Sequence, residues 1–375
     1  MGIYERLGVR PAINAWATIS YWGGSVPHPE VMAAMVEASR QYVNTYELQR
    51  AVGKRLAELT HNEAAMVTLG ASAGLLIAAA AAMAGTDPQK RAQLPNTEGM
   101  KNEGIALAVN KNPYYHCVLN SGMTVRWVGD PERPTAEELE QAIGPQTACC
   151  FYFVNPELEG KQLPLSAVSE VCHKQGIPVI VDAAAQIPPF ENTWKYTREM
   201  GADVALFSGG KGFRGPQSSG LAVGTQEMIE KMMFFCPPQH SVARASKASR
   251  ELIVGLMVAV ELMSKRSAGE IFAEYEARLQ TIYDEIKDIP GLSVRKHFGT
   301  DVGKPFHHLR LQVDEGVAKI SIQQLVRALD EGSPRIVVGG PRDGECMVNA
   351  ELLNPGEEYI VAGRIAEIMR RARGS

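Results

Sequence analysis

Ser208-Gly209-Gly210-Lys211-Gly212-Phe213-Arg214-Gly215-Pro216-Gln217-Ser218-Ser219-Gly220 is the stretch that decides the fold. It follows an apolar run at 203–207 that reads as a buried strand. Five glycines and one proline surround a single lysine and a single arginine. Paired glycines let the backbone pass close to another group. A lysine at the mouth of a pocket is desolvated, its pKa falls, and its amine becomes nucleophilic towards a carbonyl. The alternative is a flexible surface loop with a solvated lysine, which is an unusual sequel to a buried strand.

Before this loop, strands alternate with helices. Apolar runs at 64–68, 105–109, 124–128, 149–154 and 177–182 read as strands. Helical segments are predicted at 30–42, 47–59, up to Ala84, and at 113–121, 135–143, 165–175 and 192–200. The alternation implies crossover units and an α/β fold with a mostly parallel sheet covered on both faces. Continuous apolar strands suit such double burial. After Val223 the pattern becomes α+β, with helix over 241–287 and short strands at 292–295, 306–313, 335–338 and 345–348. Helices are predicted at 321–329 and after Pro355. The expected organisation is an irregular N-terminal arm (1–27) within a segment 1–44 that joins the small domain. A large domain follows at 45–240, then a linking helix and small domain at 241–375.

Composition narrows the class. Of 375 residues, 45% are apolar and 21% charged, too apolar for a disordered chain. A net charge of −4 argues against a nucleic-acid partner. The six cysteines form no CxxC pair, as expected for buried thiols in a reducing compartment. Met1 to Arg6 lack a basic stretch leading into an apolar one, so a cytoplasmic protein is expected. The most apolar window, 71–84, is shorter than the roughly 20 residues of a membrane span.

In an open parallel sheet, ligands collect beyond the carboxyl ends of the strands. After the strand at 64–68, Gly70 and small residues open a helix. The free N–H groups of Ala71, Ser72 and Ala73, with the Ser72 hydroxyl, suit an anion. After 177–181 comes Asp182-Ala183-Ala184-Ala185. A charge ending such an apolar strand needs a partner: either it caps a turn, or it faces a protonated ring nitrogen. The alanines, Ala184 among them, leave room for a flat ring. After 203–207 come Ser208 and Lys211. Anion site, carboxylate and amine on successive strand ends together suit pyridoxal 5′-phosphate (PLP). Ser72 and Ser208 would hold its phosphate, Asp182 its ring nitrogen, and Lys211 would form the Schiff base.

The order of these motifs resembles that of fold-type I PLP-dependent enzymes, the aspartate aminotransferase-like superfamily. Residues 43–74, with Tyr46-Glu47-Leu48-Gln49 and Glu63-Ala64-Ala65-Met66-Val67-Thr68, resemble the selenocysteine synthase-like (L-seryl-tRNA(Sec) selenium transferase-like) branch. So do Asp182-Ala183-Ala184-Ala185-Gln186-Ile187-Pro188-Pro189, the Lys211 loop, Gly332-Ser333-Pro334-Arg335-Ile336 and Leu353-Asn354-Pro355-Gly356-Glu357-Glu358. Within that branch the chain is closest in kind to the D-glucosaminate-6-phosphate ammonia-lyase-like proteins. The sequence before Ile13 is short where a tRNA-binding module is expected, and the charge is negative rather than basic.

The resemblance implies a lyase of the α,β-elimination or ammonia-lyase type, acting on a small amino acid or amino-sugar acid. The alternatives are a racemase, aldolase or aminotransferase on the same scaffold, and, in another class, a tRNA-linked selenium transferase. It also implies a homodimer or higher oligomer, while the short apolar window and the residue spacings lead us to expect no membrane and no metal. Thr18 stands where the branch has Gly-Thr, here Ala17-Thr18. Tyr114-Tyr115-His116 stand where it has His-Arg, so His116 or Tyr115 is the ring-stacking candidate. The change puts a phosphosugar substrate in doubt. Arg335 either forks onto a substrate carboxylate or makes a surface ion pair. Arg214 and Gln217 are substrate candidates beside Lys211. His307-His308 should point to opposite faces of a strand and so bind no metal together.

Overall fold

Short apolar runs become strands, and a computed structural model describes them over residues 2–299 and 304–374. The strands are β1 (Ala12–Ala15), β2 (Ala64–Thr68), β3 (Glu103–Leu107), β4 (Thr124–Val128), β5 (Thr147–Phe153), β6 (Val179–Asp182), β7 (Val204–Ser208), β8 (Gly220–Gly224), β9 (Leu292–Phe298), β10 (His307–Val313), β11 (Arg335–Arg342) and β12 (Glu345–Val348). The chain forms two units: 25–267, and 1–24 with 268–375.

The larger unit is built on a seven-stranded sheet in the order β2-β8-β7-β6-β5-β3-β4. The β7-β6-β5-β3-β4 pairs are parallel, while β8 runs antiparallel to both β2 and β7. The sequence reading left β8 unassigned, because Leu221-Ala222-Val223 is a three-residue apolar run closed by glycines. Those glycines have a packing reason. A Cβ on Gly220 would lie 2.4 Å from the Gly70 carbonyl carbon, and one on Gly224 would lie 2.0 Å from the Asp203 oxygen. The segment predicted as one helix at 113–121 is a 3₁₀ turn (Pro113–Tyr115) followed by a short helix (His116–Leu119).

The alanine-rich helix Gly70–Ala84 lies on the sheet and shares a core with Met66, Phe151, Leu206 and Ala222. The exposed edge of β2 is sealed by the helix Thr45–Leu59. Gly53 brings that helix so close that a Cβ would sit 2.4 Å from the Ala65 oxygen. Gln49, 4% exposed, donates to the Val67 carbonyl at 2.7 Å and accepts from the Val67 N–H at 3.2 Å. One side-chain amide thus replaces a missing strand.

Residues 25–44 and 241–267, placed outside the large domain on sequence grounds, belong to this unit. The reason is packing: helix Arg250–Met263 runs against helices Pro29–Ser39 and Thr45–Leu59. A Cβ on its Gly255 would come within 2.8 Å of Met35 and 2.7 Å of Pro216.

The smaller unit has a five-stranded sheet, β1-β11-β12-β10-β9. The arm expected to be irregular supplies β1, parallel to β11 with Ala12 opposite Arg335 and Ala15 opposite Val338. Ile13 and Ala15 face a core with Leu309, Leu311, Ile336 and Val338. Three helices, Ala268–Ile286, Ile322–Glu331 and Glu357–Ala372, cover it. A four-residue strand whose partner is some 320 residues away carries too little local pattern to be seen. In β10, His307 is half-exposed while His308 is buried, and Arg310 Nε donates to His308 Nε2 at 2.9 Å. No described helix is long and apolar enough to cross a membrane.

Candidate active site

Because β2 and β7 are each antiparallel to β8, the strands β2, β7, β6, β5 and β3 end on one edge of the larger unit's sheet. That edge collects Ala71, Ser72, Ala73, Asp182, Ala184, Ser208, Lys211 and His116, all from the sequence reading. Thr68 and Ser208 both pair with Gly220. The turn into helix Gly70–Ala84 and the Lys211 loop therefore leave the sheet at one level, on either side of β8.

The first turn of helix Gly70–Ala84 is open. Leu69 offers no capping side chain, no acidic residue lies in the turn, and Ser72 is exposed. Gly70 has φ +78°, and its carbonyl accepts from the Thr68 hydroxyl at 2.8 Å. The unsatisfied N–H groups and the helix dipole favour an anion there.

Asp182 ends β6, half-buried, and its Oδ1 accepts from the Ala184 N–H at 3.1 Å. Burial pushes its carboxyl above the usual range, against that N–H and the positive charge of Lys211, which both pull it down. Asp182 and Lys211 are thus within electrostatic reach of each other. The Ser208 N–H donates to the Ala184 carbonyl at 3.2 Å, tying the two strand ends together.

The backbone of the Lys211 loop is held by its own hydrogen bonds. The Gly209 N–H donates to the Ser219 carbonyl (2.8 Å), Gly215 to Gly209 (2.9 Å), and Arg214 to Lys211 (3.0 Å). A Cβ on Gly212 would lie 1.9 Å from the Ile187 oxygen, and one on Gly210 would lie 2.4 Å from Gln217 Cα. Phe213 is fully buried, edge-on to Phe207 and Phe190. Half-buried Lys211 therefore stands on a rigid base. Arg214 has φ +52°, a strained conformation for a residue that carries a Cβ, and its Nε donates to the Val26 carbonyl at 3.1 Å. Gln217 is exposed.

His116 is exposed and stacks on Tyr115, with ring centroids 4.4 Å apart and planes at 27°. Tyr115 in turn meets Trp127 edge-on at 5.5 Å. Tyr115 thus backs His116, whose other face is outward. Thr18 and Arg335 lie in the smaller unit. Thr18 is buried, and it follows a turn in which Asn14 Nδ2 donates to the Ala17 carbonyl at 3.1 Å. Arg335 is seen in the ion-pair arrangement: Nε donates to Asp330 at 2.8 Å and the guanidinium lies 4.8 Å from the Trp22 ring centre.

Two neighbours of the site left no mark in the sequence. Asn110, buried just after β3, donates to the Phe153 carbonyl and, at 3.1 Å, to Gln162 Oε1. Ser25 bonds to the backbone beside Lys211.

An anion cradle, a carboxylate that burial makes costly to ionise without a cation, and a fixed amine on one sheet edge fit PLP group by group. Residues 30–302 match the aminotransferase class-V family. The chain belongs to this family. Its cofactor is PLP. Among family-type relatives, a 5′-C-glycyluridine monooxygenase-decarboxylase from Streptomyces is 30% identical over 98% of this chain and 92% of its own length. A D-glucosaminate-6-phosphate ammonia lyase from Salmonella typhimurium is 29% identical, over 99% of this chain and 98% of its own. An L-seryl-tRNA(Sec) selenium transferase from Desulfomicrobium baculatum is 24% identical over 99% of this chain and 86% of its own. The solved structure of a D-glucosaminate-6-phosphate ammonia-lyase superposes with a TM-score of 0.87 at 27% identity, covering 99% of both chains. The fold is that of fold-type I PLP enzymes, and the similarity to ammonia lyases over the whole chain supports a PLP-dependent lyase.

Proposed function

We propose that this protein removes ammonia, by elimination of a β-substituent, from a small amino acid or amino-sugar acid. The observation that carries the reading is end-to-end similarity to an ammonia lyase combined with Asp182 and Lys211 on one sheet edge. When bound, PLP acts as an electron sink for charge developing at the substrate α-carbon. The chain's own residues do the rest. The N–H groups of Ala71–Ala73, with the Ser72 and Ser208 hydroxyls, would hold the cofactor's phosphate. Asp182 would face the ring nitrogen and, by its negative charge, favour the protonated form, and His116 is the residue that would stack on the ring. The Lys211 amine takes the α-proton. A β-hydroxyl leaves as water, and water then replaces the nitrogen, so a β-hydroxy amino acid becomes a 2-keto acid and ammonia. Within the larger unit, Arg214 and Gln217 are the residues we assign to substrate oxygens.

Lys211→Ala tests the reading. Ammonia release should fall by a factor of roughly 10²–10⁴ or more, and the visible absorbance of lysine-bound cofactor should vanish. A variant retaining both sinks the assignment. The substrate is sought among D- and L-β-hydroxy amino acids and amino-sugar acids, scored by ammonia and keto acid. The relative named as a monooxygenase-decarboxylase favours a second reading, in which oxygen is consumed and carbon dioxide released. Running the screen in air and under argon separates the two: elimination needs no oxygen. Inverted stereochemistry without ammonia would mean a racemase, and a tRNA gel shift at physiological salt tests the transferase reading.

We further read the protein as cytoplasmic and at least dimeric. The described cysteines are all free thiols, which suits a reducing compartment. Met32, Val36, Tyr42, Val43 and Tyr46 leave large apolar side chains exposed along one segment. Sedimentation equilibrium decides the oligomer.

A further inference from the structure

Lys211 is flanked by a segment of chain that comes from far away in sequence. The Ser25 N–H and the Ser25 hydroxyl both donate to the Gly210 carbonyl, each at 2.9 Å, and Ser25 is 4% exposed. That carbonyl belongs to the peptide unit whose nitrogen is Lys211's own. On the other side of Lys211, the His28 N–H donates to the Arg214 carbonyl at 3.3 Å, and Arg214 Nε returns a bond to the Val26 carbonyl. Residues 25–28 thus form a strap bonded on both sides of the lysine. Ser25 is also the first residue of the larger unit after the chain leaves the smaller one at Gly24.

We propose that Ser25 is a positioning residue for Lys211, fixing the Gly210–Lys211 peptide so that the amine keeps its place relative to Asp182. A carbonyl oxygen has two lone pairs, and Ser25 places two donors on it, which fixes the direction of the Gly210 carbonyl as well as giving it a partner. The hydroxyl's contribution is therefore orientation. A small displacement of a catalytic group is costly in rate even when the fold is intact. The inference rests on Lys211 being the cofactor-binding amine, but not on which reaction follows.

The test uses the PLP-loaded full chain and the variants Ser25→Ala and Ser25→Thr. Ser25→Ala keeps the backbone bond and leaves no buried donor stranded, so the melting temperature should stay near that of the parent. The pH at which the visible absorbance of lysine-bound cofactor titrates should shift by at least ~0.5 unit, because the amine moves relative to Asp182. With a substrate found, kcat should fall about tenfold with KM nearly unchanged. Ser25→Thr, which keeps the hydroxyl, should restore both. An unchanged titration in Ser25→Ala overturns the proposal, whether or not stability has fallen. A parent that releases no ammonia from any candidate sinks the lyase reading, yet the spectroscopic titration still decides the role of Ser25.

Discussion

Asp182 carries a conflict that its neighbours only partly relieve. Its carboxyl is raised by burial, so the folded, cofactor-free protein holds that proton to higher pH than the unfolded chain does. The folded state then binds more protons, and this group's contribution to stability declines as pH rises from about 4 through the raised folded value. Asp182→Asn removes the charge, so the cofactor-free variant should melt higher than the parent at pH 7. The same change deprives the ring nitrogen of its counter-charge, and turnover should drop by a factor of about 10² or more. Calorimetry of the cofactor-free protein and an ammonia assay check the two halves; equal melting temperatures across pH 5–8 would refute the first. The aspartate was legible in the sequence because charge ending an apolar strand is a local anomaly. How near Lys211 comes to it was not, since their electrostatic reach depends on the alignment of β6 and β7.

At the scale of elements, the site depends on β2 staying flat at the sheet edge while the helix after it presents its first turn. Gln49 maintains this by bonding both backbone groups of Val67. Gln49→Leu leaves a buried N–H and a buried carbonyl unpaired, a loss of about 1–3 kcal/mol for each group. Urea unfolding should show a lower midpoint with an unchanged slope, and cofactor affinity should weaken as the edge frays. Periodicity predicted the helix that bears Gln49 but assigned this residue no task. A glutamine on a helix face looks alike whether it meets water or an open strand. β8 was missed for a related reason. Its three apolar residues gain their meaning from lying between β2 and β7, and its glycines from the backbones that press on them.

At the scale of the whole molecule, each unit has its own core, and the smaller one also buries an ion pair. Lys304 and Glu351 bond to each other with side chains 1% and 4% exposed. Lys304→Met strands the carboxylate and should lower stability by about 3–5 kcal/mol, whereas the double variant Lys304→Met, Glu351→Leu should recover most of that loss. Urea unfolding of the three proteins checks this; a double variant as unstable as the single one would show that the pair itself is needed.

The sequence by itself determined the α/β class and the cofactor, and it singled out the aspartate and the lysine that we assign to it. Each of these is written in a few consecutive residues: apolar runs, a glycine-rich loop with one lysine, an aspartate at a strand end. Tertiary structure alone decided that residues 12–15 form a strand, that 25–44 and 241–267 join the larger unit, and that Ser25 braces the Gly210–Lys211 peptide. These depend on which distant segments meet. A strand's partner or a serine's acceptor costs nothing to specify locally, so it leaves no periodicity or spacing to read.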